Sequence, residues 1–175
     1  MMNPKSMEEA DAFMEFISKG TNLISEDMHF NIGGDHEFTF SVEGWPDLFI
    51  IYPYIISCMP ECLKGKWKFF PFNPGKVGSF AYRVHDTDVD MGKIMVKASY
   101  DEKRENFNIR YYDKNLCALP EENSDGNFHV ILELVLGEGV SFKYVNGIER
   151  ASGIEEGMIA LSGLRQHIEE TVKSH

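Results

Sequence analysis

The 175-residue sequence predicts an α+β fold, built as two β-β-α-β halves with antiparallel hairpins and helices packed on one face of the sheet. Three observations carry this. Short runs of alternating apolar residues come in pairs, separated by glycines or by a charged turn, which is the pattern of hairpins. Each pair is followed by an apolar segment long enough for a helix. The same order then recurs in the second half of the chain, and hairpins with helices on one face define the α+β class. The organisation expected is one domain over residues 1–175, with pseudo-repeat halves at 1–75 and 79–150. The first half opens with an N-terminal helix, and a C-terminal helix covers 155–173.

Each element has a local reason. Ser6-Met7-Glu8-Glu9 reads as a capping box, in which the Ser6 hydroxyl and the Glu9 carboxylate each accept the other residue's amide proton. Ala10, Phe13, Phe16 and Ile17 follow at helical spacing, and Gly20 suits the C-terminal cap. Phe30 and Ile32 alternate up to Gly33-Gly34, and Phe38, Phe40 and Val42 alternate after it, giving the first hairpin. Trp45 to Met59 is apolar enough for a buried helix that Pro53 starts or kinks and Pro60 ends. Trp67, Phe69 and Phe72 mark the next strand, with Lys64, Lys66 and Lys68 on its solvent side.

In the second half, Ile94, Val96 and Ala98 pair across the turn YDEKREN with Phe107, Ile109 and Tyr111. Pro120 to Asn127 is expected as a polar loop in which Asp125 or Asn127 caps the helix FHVILELVL. Val140, Phe142 and Tyr144 alternate as a strand. Ser152 to Glu155 offers a second capping box, before a helix whose Met158, Leu161, Leu164, Ile168 and Val172 share one face.

Composition bounds the function. A hydrophobic fraction of 43% and an aromatic fraction of 13% exclude a disordered chain, which lacks the apolar area to offset its conformational entropy. A formal net charge of −11 repels phosphate backbones and anionic lipid, so neither nucleic acid nor a membrane is expected as a partner. The longest mostly apolar run, Leu48 to Met59, is too short to span a bilayer. No secretory signal pattern opens the sequence, and three cysteines cannot all pair, so a reducing cytoplasmic setting is expected.

Few residues suggest chemistry. Cys58 and Cys62 have three residues between them and no second pair, which suits neither structural zinc nor a redox dithiol, so buried free thiols are expected. Asp86, Asp88 and Asp90 could hold a divalent cation, but Met91 stands where a calcium loop needs glycine and Lys97 where it needs glutamate. A solvated loop opening a strand is the expectation there, with no metal and no cofactor assigned. His129 and Glu133 lie four apart on one helix face, where a catalytic pair is conceivable and a polar edge on a mostly buried helix is the plainer reading.

The stretches SVEGWPDLF, CMPECLKGKWKFFPFNPG and LELVLGEGVSFKYVNGIE together resemble a family of uncharacterised bacterial cytoplasmic proteins with an S-A-D-G…A-P-L…W…L-D-x-x-L-G-E pattern. The matching positions are Ser41, Gly44, Phe49, Pro60, Leu63, Trp67, Phe72, Glu133, Gly137, Glu138 and Tyr144, while Val42 and Glu43 depart from it. The resemblance implies the fold and carries no established activity. An acidic, aromatic-rich chain without a catalytic constellation is expected to be a non-enzymatic interaction or accessory domain. An inhibitor- or immunity-type protein would use its acidic surface to cap a basic enzyme. A homodimer would use aromatics such as Trp45, Tyr52 and Tyr54. The alternative is a small-ligand-binding protein or enzyme with its site near Glu133, Glu138 and Tyr144, joined by His129.

Overall fold

The computed structural model describes residues 15, 17–22, 26, 28–33, 36–43, 45–76, 81–84 and 87–175. The capping box at Ser6 lies outside them; residues 17–22 form the described end of helix α1, which runs on past Gly20. The chain divides into two units, Met1–Phe72 and Asn73–His175, and its helices and mixed sheets make it an α+β protein.

In the first unit, the alternation around Gly33 yields β1 (His29–Gly33) and β2 (Glu37–Ser41), antiparallel with Phe30 opposite Phe40 and Ile32 opposite Phe38. The apolar run then forms helix α2 (Leu48–Cys58), with Pro53 inside it. A one-turn helix, α3 (Glu61–Lys64), starts at Pro60 and leads to β3 (Lys68–Phe70), which pairs parallel to β2. The lysine alternation is therefore not one strand face. Lys64 ends α3, Lys66 sits in the turn, and only Lys68 is on the strand, 3.2 Å from Glu37 across the ladder. Phe38, Phe40, Val42, Leu48 and Tyr52 form the buried core, with Phe69 and Trp67 packed at its margin.

Tyr52 fixes how α2 is rotated. It is fully buried, stacks on Phe40 at 4.6 Å, donates its hydroxyl proton to the Ser41 carbonyl at 3.1 Å, and accepts from the His29 amide at 3.3 Å. A ring so held leaves the helix one orientation only. Tyr52 is thus core and unavailable to a homodimer surface.

The second unit opens with a two-stranded ladder, β4 (Ala81–Val84) and β5 (Thr87–Asp90). Its main sheet has the order β8-β7-β6-β9, from β6 (Met95–Asp101), β7 (Asn106–Tyr112), β8 (Val145–Arg150) and β9 (Ile159–Ala160). β6 and β7 make the expected hairpin, whose turn is held by the Asp101 carboxylate accepting from the Lys103 and Arg104 amides at 3.0 and 3.3 Å. Val96, Phe107, Ile109 and Tyr111 face the core. Over them lies α4 (Glu121–Leu136), whose Phe128 ring stacks on Tyr111 with centroids 3.8 Å apart. The Tyr111 hydroxyl meets Ser124 at 2.7 Å and donates to Asp125, and burial followed by the Asp125 contact pushes the phenol well above its ordinary pKa. As in the first unit, the third strand, β8, pairs parallel to the second strand of the hairpin. Both halves therefore share one β-β-α-β topology.

Four expectations are corrected here. The polar stretch from Pro120 is not a loop: Pro120 precedes α4, and Glu121 and Glu122 supply its first turn with acids that suit the helix dipole. Val140, Phe142 and Tyr144 are not a strand but lie in α5 (Glu138–Tyr144), with Phe142 turned outward. Asp88 and Asp90 lie on β5, with buried Val89 between them, rather than in a loop. The C-terminal helix, α6, begins at Leu164 and runs to Ser174; a 3-10 turn over Leu161–Gly163 leads into it, and the capping box at Ser152 is unused. Its buried face is the expected one, Leu164 and Ile168, with Val172 at the edge.

Helix α4 is broken from α5 at Gly137, where φ is 83° and ψ is 150°, a conformation open in practice to glycine alone. The break is stitched by the strap Asn73–Lys76. The Lys76 amide donates to the Leu134 carbonyl at 2.7 Å, and the Glu138 amide donates to the Asn73 carbonyl at 3.0 Å. In a continuous helix those two helical groups would have bonded to each other. The backbones meet so closely that a Cβ on Gly75 would lie 2.5 Å from the Gly137 nitrogen, and one on Gly137 would lie 2.6 Å from the Pro74 carbonyl carbon.

Candidate functional site

The polar candidates are mostly committed to structure. Glu138 is buried and its Oε2 accepts the Asn73 amide proton at 3.1 Å, so its carboxylate helps lock the strap. Tyr144 packs against the core of the second unit at the far end of α5, with the Lys143 ammonium 4.7 Å from its ring centre. His129 and Glu133 do meet, at 3.4 Å, on the outer side of α4. The Glu133 carboxylate raises the His129 pKa, outweighing the partial burial that opposes it. The Glu133 carbonyl also accepts the Gly137 amide, ending the helix. The structure thus joins His129 to Glu133 and Glu138 to Asn73, as two separate arrangements.

The acidic cluster is also spoken for where it is described. Asp88 pairs with Arg83 at 2.9 Å, and Asp90 accepts the Gly92 amide at 2.9 Å and faces Lys93 at 3.3 Å. Asp86 lies outside the described residues. Among the described residues, no group of three or more His, Cys, Asp or Glu side chains is arranged to hold a metal ion. Nor is any described helix long and apolar enough to cross a membrane.

Cys58 and Cys62 overturn the buried-thiol expectation, since both are exposed. The reason leads to the most unusual surface of the described chain. From Leu48 to Pro60 the sequence LFIIYPYIISCMP carries no Asp, Glu, Lys, Arg or His. A helix apolar all round is normally buried all round. Here Tyr52 and Leu48 turn inward, so the residues half a turn away must face out. Ile50 is 80% exposed and Tyr54, one turn on, is 69% exposed. Pro53, Ser57 and Cys58 continue the same arc, and the Tyr54 hydroxyl donates toward the neighbouring Cys58 sulfur, which raises the Tyr54 phenol pKa. Trp45, 53% exposed, precedes the helix, and Leu63 follows it on α3. A charged rim closes the helix end: Lys64 pairs with Glu61 at 3.1 Å and donates to the Ser57 carbonyl at 3.2 Å.

The sequence shows this segment as apolar but not as exposed, because an all-apolar helix has no polar stripe to mark its solvent side. The available signal was the absence of charge over thirteen residues in a chain of net charge −11. No family model matches the chain, and no curated protein or solved structure matches it.

Proposed function

We propose that the protein is a non-enzymatic interaction or accessory domain that works by binding a polypeptide through the outward face of α2. The observation that carries this is the uncharged, solvent-exposed stripe of Ile50 and Tyr54, flanked by exposed Pro53, Ser57 and Cys58, in an otherwise acidic chain. Contiguous apolar surface costs solubility, and where it persists it marks a binding face. Aromatic side chains with one polar end, such as Tyr54, are the residues that anchor such contacts. The structural use of Glu138, Asp88 and Asp90 supports the same reading, because it leaves their carboxylates engaged within the fold. In an inhibitor-type protein, the acidic remainder would steer a basic enzyme toward the molecule, giving an association that weakens with salt.

The test compares the wild-type protein with Ile50→Glu, each immobilised and exposed to extract of the cells that make it. Ile50 is exposed, so the substitution leaves the core intact, which far-UV circular dichroism checks. At least one polypeptide is expected on the wild type and not on the variant. The same set of retained polypeptides on both overturns the proposal.

A further inference from the structure

We infer that the occupant of the α2 face is a second copy of this chain, packed through a two-fold contact of α2 against α2. The inference rests on the polypeptide-binding reading above and names its partner. Charge is the first argument. Two copies each carrying a net charge of −11 repel wherever acidic surfaces meet. The α2 face, with no Asp, Glu, Lys, Arg or His from Leu48 to Pro60, lets two such molecules touch without opposing like charges. A basic partner would find no charge complementarity on this face, only on the carboxylates elsewhere.

Shape and area are the second argument. Ile50, Tyr54 and Ser57 lie on one helical stripe. Such a stripe is self-complementary when two copies cross antiparallel, as an isologous contact requires. With an aromatic side chain covering about 150–250 Å², the exposed parts of Ile50, Pro53, Tyr54, Ser57 and Cys58 on this arc amount to roughly 450 Å² per copy. A pair then buries on the order of 1,000 Å², the lower bound for a specific interface. Such a dimer is concentration-dependent rather than permanent.

The decisive property is the sign of its salt dependence. Sodium chloride screens the repulsion between the acidic bodies while leaving the apolar contact in place, so the dimer tightens as salt rises. A complex with a basic partner does the reverse. Sedimentation equilibrium over a thousandfold concentration range, at low and at 0.5 M sodium chloride, reads this directly. The expected mass rises from 20.0 kDa toward twice that value, and the midpoint concentration falls several-fold in high salt. Ile50→Glu and, separately, Tyr54→Arg are expected to remain at the monomer mass with wild-type circular dichroism. Having two exposed positions keeps the test decisive if one variant folds poorly. A wild type monomeric throughout, a dimer that weakens with salt, or a dimer unaffected by both variants overturns the inference. A monomeric wild type that still retains a different polypeptide through Ile50 overturns only the dimer and leaves the polypeptide-binding reading standing.

Discussion

Replacing Gly137 by alanine adds one methyl group where two backbones already touch. The added Cβ would sit 2.6 Å from the Pro74 carbonyl carbon and 2.7 Å from the Asn73 and Pro74 oxygens, all main-chain atoms that cannot swing aside. Holding a non-glycine residue near φ 83°, ψ 150° costs about 1–3 kcal/mol. Forcing apart a packed contact costs about 1–3 kcal/mol more, so the expected loss is about 4 kcal/mol. A domain of this size has only about 5–15 kcal/mol of stability, so much of it would go. The control is Gly126→Ala, the same chemical change inside α4, where nothing lies within 4 Å of the new methyl. There helix propensity should stabilise by about 0.5–1 kcal/mol. Urea unfolding followed by far-UV circular dichroism measures both. Both tryptophans, Trp45 and Trp67, belong to the first unit, so fluorescence in the same titration reports that unit alone. A Gly137→Ala loss below about 1 kcal/mol, or equal effects at the two glycines, would refute the account of the strap.

Three further outcomes are expected. Glu138→Ala removes the acceptor of the Asn73 amide and should destabilise by about 1–3 kcal/mol in the same urea assay; a variant as stable as wild type would free Glu138 for a chemical role. His129 has a raised folded pKa, so its pair with Glu133 contributes fully below the ordinary histidine value and fades as pH rises through the folded one. The stability difference between wild type and Glu133→Gln, about 0.3–0.5 kcal/mol for an exposed helix pair, should therefore be largest below the ordinary histidine pKa and fade as the pH rises above it, and a difference that grows with pH would contradict the pairing. In native protein, Cys58 and Cys62 should react with a thiol reagent at once, while Cys117, less exposed and with a thiol pKa raised by burial, should lag; three equal rates would show that the second unit opens readily.

The hairpins were legible because a half-buried antiparallel pair must alternate, and Val96, Ala98, Ile109 and Tyr111 do so without interruption. Helix α5 was misread for a geometric reason. Val140 and Tyr144 are four apart, a spacing that places them together on a strand and on a helix alike. Only Phe142 distinguishes the two, and its apolar character pointed to the wrong one because it ends up in solvent. The start of α4 was hidden because Glu121 to Asn127 carry no apolar period; their helix is held by the Pro120 junction, the acidic first turn and the buried Ser124 contact with Tyr111. At the candidate site, sequence located the apolar helix and named Trp45 and Tyr54, but placed Tyr52 with them. Which side of α2 faces water depends on Tyr52 bonding Ser41 and His29, a contact between residues far apart in sequence. The polar candidates Glu133 and Glu138 were read as chemistry because their part in ending one helix and anchoring a strap is tertiary.

The parallel third strand of each half also sets an order of events in folding. Strands β6 and β7 are joined by four residues and can close within microseconds, whereas β8 can dock beside β7 only after α4 and α5 have been laid between them. Long-range parallel pairing is the slow part of such topologies. On a ribosome, the apolar face of that hairpin would emerge first and wait for α4 to cover it. The nascent chain is therefore most exposed to aggregation in the interval between Tyr112 and Leu136.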